Sequence, residues 1–183
     1  CEEILLNYEN EESVNESFEL IKSNNSGTRF FTDQESIIIR KIGLKGEQLI
    51  NNLLQNKKNK KEILDFYWLS KDFPSADHDF EITCLDESVK MVEVKTTKNE
   101  FENDFYWSKN ERKLFLNNPN NYIFKRVSQV FQPEAVNVRA SNNLEQLRDS
   151  IQIPGVLFEG HAKIKPTLSP IKWGNKIFLK KYL

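Results

Sequence analysis

The chain has 183 residues, of which 38% are hydrophobic and 29% are charged. This length suits one domain with a well-buried core, and the composition excludes collagen-like and wholly disordered chains. No apolar run reaches the roughly 18 residues that a membrane-spanning helix needs, so a membrane partner is not expected.

The first residue is Cys1 rather than Met, and no basic and apolar leader of a secreted protein follows it. We therefore expect a fragment of a longer protein with a cytoplasmic location. Cys1 and Cys84 are too few for a disulfide framework or a cysteine-rich zinc module, which agrees with a reducing compartment.

The formal net charge of -1 conceals an uneven distribution. Residues 1–22 hold seven acidic side chains and one basic one, whereas residues 23–183 hold 25 basic and 20 acidic side chains. Lysines concentrate in residues 57–61 and 163–181. Such clusters neutralise phosphates but also form ordinary solvated faces, so charge permits a nucleic-acid partner without requiring one.

In chain order, the acidic opening predicts a helix or arm, followed by a polar loop that reaches Gly27. Apolar residues recur at helical spacing from Thr32 to Leu54. We expect Gly43 and Gly46 to break this pattern, so that the main helix begins near Leu44 and ends in an Asn/Lys-rich loop at 55–61. The aromatic run over 63–69 predicts a strand, and residues 74–76 a connecting loop.

Residues 78–84 and 90–96 each alternate polar and apolar side chains around a polar turn at 86–88, which predicts an antiparallel hairpin. Ser108 as N-cap and Glu111 three residues later predict a helix over 109–117. A fourth strand is expected over 122–127. Beyond it we expect a short helix near 143–149 and strands near 152–160 and 176–182.

The order helix, strand, strand, strand, helix, strand predicts an α/β sandwich around a mixed sheet. Strand parity turns Cys84 inward, where its thiol would be inert. The expected core residues are Phe66, Trp68, Phe80, Val92, Val94, Ile123 and Phe124.

The hairpin brings acidic and basic side chains together. Side chains on a strand alternate between its faces, so Glu93 and Lys95 share the polar face of the second strand. If the turn centres near Asp86, Asp79 lies opposite Glu93. Two neighbouring carboxylates repel each other unless a cation lies between them, and Mg²⁺ prefers such oxygen ligands.

A metal ion held by Asp79 and Glu93 could polarise a phosphoryl oxygen and lower the pKa of a bound water. Lys95 could orient that water or offset charge in the transition state. Glu47, on the preceding helix, could position the water. This combination predicts hydrolysis of a phosphodiester.

An acidic residue followed about a dozen residues later by Glu-x-Lys resembles the PD-(D/E)XK nuclease superfamily. Further motifs between residues 43 and 130 are similar to those of the NO VEIN C-terminal domain, a member of that superfamily. His78 stands where the superfamily's name leads one to expect Pro. These motifs are Gly46-Glu47 opening a helix, His78-Asp79-Phe80, Val92-Glu93-Val94-Lys95-Thr96-Thr97, Ser108-x-x-Glu111 and Tyr122-x-x-x-x-Val127.

The resemblance implies a restriction-endonuclease-like α/β/α core with strand and helix order αβββαβ over residues 32–130. Residues 1–31 would be an acidic arm or the tail of a preceding domain, and 131–183 an extension packed on the core. It also implies catalytic roles for Asp79, Glu93, Lys95 and Glu47, with Asp79 and Glu93 as ligands of Mg²⁺, for which Mn²⁺ could substitute.

The expected function is therefore a Mg²⁺-dependent DNA endonuclease module of a prokaryotic restriction or anti-phage system. Its expected partners are DNA and a helicase or NTPase module, and cutting both strands with one site per chain would suggest a homodimer. Candidate substrate contacts are His78, Thr96, Ser108, Glu111, Lys57 and Lys58. For Ser108 and Glu111, helix capping is an equally good explanation.

Three alternatives remain open at the level of sequence. A nucleic-acid-binding module with this fold would bind without Mg²⁺ and would not nick DNA. An interaction domain would use the acidic residues 1–22 to dock a partner or to mask a basic groove. A nuclease toxin domain with an immunity partner would share the chemistry and differ in context.

Overall fold

The computed structural model describes residues 33–142, 144, 162–167 and 171–183. The described residues from Ile42 onward form one compact unit. The predicted arm over 1–31 and the predicted strand near 152–160 lie outside the described residues, as does the predicted helix near 143–149 apart from Leu144. No helix in the described ranges combines the length and the apolar character that crossing a membrane requires.

Helix α1, Asp33–Asn59, passes through both glycines without interruption, so the predicted break at Gly43 and Gly46 is wrong. Glycine lowers helix stability by only about 1 kcal/mol per residue, and burial of an apolar stripe outweighs that cost. The helix also continues through most of the loop predicted at 55–61, and the chain leaves it near Lys61, which has a φ of 59°. Its buried residues are Ile42, Leu49, Ile50, Leu53 and Leu54.

In the part of the chain that the structure describes, nine strands, two further α-helices and one 3-10 helix follow α1. Their bounds are β1 Asp65–Trp68, α2 Leu69–Asp72, β2 Phe80–Thr83, β3 Val89–Thr96, β4 Phe105–Trp107, α3 Lys109–Asn117, β5 Tyr122–Ser128, β6 Asn137–Asn142, β7 Ala162–Ile164, β8 Lys172–Trp173, β9 Ile177–Phe178 and the 3-10 helix Lys180–Tyr182.

Seven of these strands form one mixed sheet in the order β1-β2-β3-β5-β6-β8, with β9 also paired to β6. Strands β3 and β5 are parallel, and the other pairs in the sheet are antiparallel. Strands β4 and β7 form a separate antiparallel pair. The predicted mixed α/β architecture and the order αβββαβ are confirmed, with α2 and β4 as short additions.

The predicted hairpin is confirmed, with Phe80 paired to Val92 and Thr83 paired to Val89. Its turn contains Glu87 with a φ of 65°. The predicted helix over 109–117 is confirmed with its capping box: Ser108 accepts from the Glu111 amide, and the Glu111 side chain accepts from the Ser108 amide. The alternating side chains of the hairpin and the capping residues of the helix were therefore enough to predict both elements from the sequence.

Several strands differ from prediction because tertiary pairing creates them. Strand β6 is rich in Asn, Arg and Ser, so it shows little of the apolar alternation that marks a strand. Strands β4, β7 and β8 have only two or three residues each. The predicted strand near 176–182 is instead β9 followed by the 3-10 helix.

Of the expected core residues, Phe80, Val92, Val94 and Phe124 are buried. Phe66, Trp68 and Ile123 are only partly buried. The prediction for Cys84 is wrong: it lies beyond the end of β2 and is partly exposed. A cluster of aromatic side chains forms a substantial part of the core, and the aliphatic Leu144 and Ile171 pack with it. Its buried aromatic members are Phe105, Trp107, Phe115, Tyr122 and Phe124.

Candidate functional site

The β2–β3 hairpin sets Asp79 beside Glu93. Phe80 pairs with Val92, so continuing the register by one residue places Asp79 opposite Glu93, as the turn position predicted. The Asp79 amide donates to the Val92 carbonyl at 2.9 Å, and its Oδ2 accepts from the Val94 amide at 2.7 Å. The backbone of β3 therefore fixes the Asp79 carboxylate.

Lys95 lies between two carboxylates. Its Nζ is 2.7 Å from Glu93 Oε1 and 2.6 Å from Glu111 Oε2. Glu93 is only 6% exposed, so this face of the sheet is covered and is not the solvated polar face that alternation alone suggests. On the parallel strand β5, the residue paired with Glu93 is Phe124, a member of the aromatic cluster.

Helix α3 delivers Glu111 to this position. The Glu111 Oε2 that binds Lys95 also accepts from the Ser108 amide at 3.3 Å, as part of the capping box. Ser108 and Glu111 were predicted as candidate substrate contacts or caps. The structure shows both in the capping role, and Glu111 is also an ion-pair partner of Lys95.

Glu47, in the middle of α1, lies near Asp79 and is held by two donors. Its Oε2 accepts from the indole Nε1 of Trp68 at 2.9 Å and from the Ser70 hydroxyl at 2.6 Å. Neither donor was predicted as a site residue. No periodic signal could have indicated them, because only the tertiary fold brings the end of β1 to α1.

Burial dominates the electrostatics of the site. Burial and the adjacent Glu47 raise the pKa of Asp79 to about 7, although the Val94 amide acts in the opposite direction. Burial also raises the pKa of Glu93 well above its usual range, despite the opposing charge of Lys95. For Lys95, burial would lower the pKa, but Glu93 and Glu111 outweigh it and raise the pKa.

Thr96 and His78 flank the site without joining its ion pairs. Thr96 lies against Gly46 on α1, at a distance that leaves no room for a Cβ atom there. His78 is buried just before Asp79, with Nδ1 2.9 Å from Asp77 Oδ1 and Nε2 3.5 Å from Glu81 Oε1.

Lys57 and Lys58 lie away from the other predicted site residues. They follow Glu47 on α1 by ten and eleven residues, which is about 15 Å along the helix axis. Each has a carboxylate partner there, with Lys57 3.6 Å from Glu62 and Lys58 2.7 Å from Asp65. The structure therefore does not bring these two lysines to the candidate site.

The oxygen-rich donor set is compatible with a hard divalent cation. Across the described ranges, no three His, Cys, Asp or Glu side chains come together as a ready-made set of metal ligands. A Mg²⁺ site needs fewer, because the ion commonly uses one or two carboxylates and keeps several waters. Asp79 and Glu93 are two neighbouring carboxylates that could hold such an ion.

The family model described as the C-terminal region of protein NO VEIN matches residues 46–139, more than half of the chain. The match begins at the glycine that contacts Thr96 and includes Asp79, Glu93, Lys95 and Glu111. No curated protein and no solved structure matches the chain. On the strength of the matched region, the chain belongs to the NO VEIN C-terminal family.

Proposed function

We propose that the chain is a Mg²⁺-dependent endonuclease module that hydrolyses phosphodiester bonds in DNA. One observation carries the proposal: Glu93 and Glu111 both pair with Lys95 in a largely buried region, and Asp79 lies close enough to Glu93 and Glu47 to interact with the charge of each. Four carboxylates against one ammonium are unfavourable in a region of low dielectric constant. A divalent cation would relieve that imbalance.

Asp79 and Glu93 would hold the cation. When bound, Mg²⁺ would polarise a phosphoryl oxygen and provide a water of lowered pKa, and Mn²⁺ would substitute for it. Lys95 would donate to a non-bridging phosphate oxygen and stabilise the negative charge that develops there. Glu47 would accept a hydrogen bond from the attacking water and orient it.

We further propose that the fold belongs to the PD-(D/E)XK superfamily. Support comes from the β2–β3 hairpin followed by helix α3 and the parallel strand β5, in the order that the resemblance implies. From this membership we also propose a restriction or anti-phage role and a helicase or NTPase partner. We propose a homodimer because cutting both strands with one site per chain requires two chains. The proposed cytoplasmic location rests on the low cysteine count.

The proposal is tested by incubating purified protein with supercoiled plasmid, in Mg²⁺ or in chelator. We expect nicking in Mg²⁺ alone, and loss of nicking in Asp79→Asn, Glu93→Gln and Lys95→Met at unchanged circular dichroism. Asp65→Asn and Glu62→Gln are matched controls, because both carboxylates are exposed and lie outside the site, where they pair with Lys58 and Lys57. If the wild type does not nick with Mg²⁺ or Mn²⁺, or if all three site variants nick normally, the proposal is wrong.

A DNA-binding module that does not cut is the competing function. It is favoured by the two close ion pairs of Lys95, which would serve equally well as a purely structural link between β3 and α3. Such a module would bind labelled DNA in chelator with strong salt dependence and would leave the plasmid supercoiled.

A further inference from the structure

The junction between β1 and α2, residues Trp68–Ser70, is built into the candidate site. The Leu69 and Ser70 amides both donate to the Asp79 carbonyl, at 2.8 Å and 3.2 Å. The indole of Trp68 stacks on the buried Phe80 ring, with centroids 5.4 Å apart and planes inclined by 21°. The junction is therefore tied to the residues that begin β2.

This junction supplies both hydrogen-bond donors of Glu47. Trp68 Nε1 lies 2.9 Å from Glu47 Oε2 and 3.1 Å from Ser70 Oγ, and Ser70 Oγ lies 2.6 Å from the same Oε2. A serine hydroxyl has one proton to donate and can accept as well, so Ser70 can donate to Glu47 while accepting from Trp68. The three groups form a closed triangle.

In this triangle, only one of the two carboxylate oxygens of Glu47, Oε2, accepts hydrogen bonds. Within the described part of the chain, Glu47 Oε1 takes part in no hydrogen bond. A carboxylate that is fixed through one oxygen keeps the other available in a defined orientation. In the role proposed for Glu47, that second oxygen is the one that accepts from the attacking water.

We propose that Trp68 and Ser70 are positioning residues for Glu47, and that they fix its carboxylate so that Oε1 orients the attacking water. This inference rests on the proposed function. Trp68 is the last residue of β1, and Ser70 lies on α2, a helix of four residues that the sequence did not predict. The same junction links Glu47 on α1 to Asp79 before β2, so it sets the spacing between the two.

The experiment compares Ser70→Ala and Trp68→Phe with the wild type in the plasmid assay. Trp68→Phe retains a ring that can stack on Phe80. We expect kcat to fall by about 10- to 100-fold in both variants, as for other residues that orient a catalytic group. Mn²⁺ affinity should be unchanged in Trp68→Phe, whereas the Ser70 hydroxyl also interacts with the proposed ligand Asp79. Ser70→Thr retains the hydroxyl and should restore most of the activity.

Matched controls are Ser88→Ala and Trp173→Phe. Ser88 bonds Asp86 in the hairpin turn, and the Trp173 indole donates to the Pro166 carbonyl at 3.1 Å, so these variants remove equivalent groups outside the site. Both should retain wild-type nicking. Wild-type nicking by Ser70→Ala and Trp68→Phe would overturn the inference while leaving the proposed function intact.

A double-mutant cycle tests whether Ser70 acts through Glu47. Introducing Ser70→Ala into the wild type should lower the nicking rate. Introducing it into the Glu47→Ala variant should not lower that rate further. The same cycle, measured by urea unfolding without metal, should show coupling between the two side chains. Independent effects in both cycles would overturn the inference, and absence of wild-type nicking would overturn both it and the proposed function.

Discussion

Gly46 provides a test of the structure that does not depend on function. A Cβ atom at this position would overlap Thr96 Oγ1, and it would lie 2.7 Å from Thr96 Cγ2 and 2.8 Å from Thr96 Cβ. Rotating the Thr96 side chain would move the first two atoms but not its Cβ. Gly46→Ala must therefore push α1 away from β3.

We expect Gly46→Ala to lower the free energy of unfolding, whereas the same substitution at an ordinary helix position raises it. Replacing Gly by Ala inside a helix normally stabilises by about 1 kcal/mol. Overpacking of a tight contact typically costs about 1–3 kcal/mol and sometimes more. Because backbone must move here, we expect Gly46→Ala to lower the free energy of unfolding by about 2 kcal/mol.

Urea unfolding followed by circular dichroism measures this change, and Gly43→Ala is the matched control. The nearest atom to a Cβ at Gly43 is Glu47 Oε1 at 4.0 Å, so that variant should be as stable as the wild type or more stable. Adding Thr96→Ala to Gly46→Ala removes the two closest contacts and should recover part of the loss. Equal stabilisation by Gly46→Ala and Gly43→Ala would refute the close approach of α1 to β3.

Three further predictions concern charge. Because the pKa of Asp79 rises from 3.8 when unfolded to about 7 when folded, its contribution to stability should be lost as pH rises through that interval. Asp79→Asn should then be more stable than the wild type at pH 8 but not near pH 4; a difference that does not change with pH in urea titrations would contradict this. Millimolar Mg²⁺ at pH 8 should raise the Tm of the wild type but not of Asp79→Asn, and equal shifts would exclude Asp79 as a ligand. Glu111→Gln should lower the free energy of unfolding by about 1–2 kcal/mol, since it weakens both the capping box and an ion pair of Lys95. Glu134→Gln, in the exposed pair with Lys180, should change it by less than about 1 kcal/mol, so equal losses would argue against a special role for Glu111.

The sequence predicted features that depend on neighbours along the chain. The β2–β3 hairpin has alternating side chains and a polar turn, and α3 has Ser108 and Glu111 at capping positions, so both were predicted with nearly their observed bounds. The resemblance to the NO VEIN C-terminal domain is likewise confirmed over residues 46–139. The catalytic and metal-binding roles of Asp79, Glu93, Lys95 and Glu47 stay predictions.

Features that depend on distant contacts were not predictable. A glycine inside a helical pattern is ambiguous until its neighbour is known, and Thr96 lies fifty residues after Gly46. The link between Lys95 and Glu111 requires α3 to pack beside β3. Strand β6 exists through its partners β5, β8 and β9 rather than through its own composition.

Residues 171–183 protect one edge of the sheet. Strands β8 and β9 pair with different halves of β6, and the Leu179 amide donates to the Val136 carbonyl while its side chain is fully buried. Removing residues 171–183 would leave the amides and carbonyls of β6 without those partners and open to strands of other molecules. Any shortened version of this protein should therefore retain residues 171–183 to avoid aggregation.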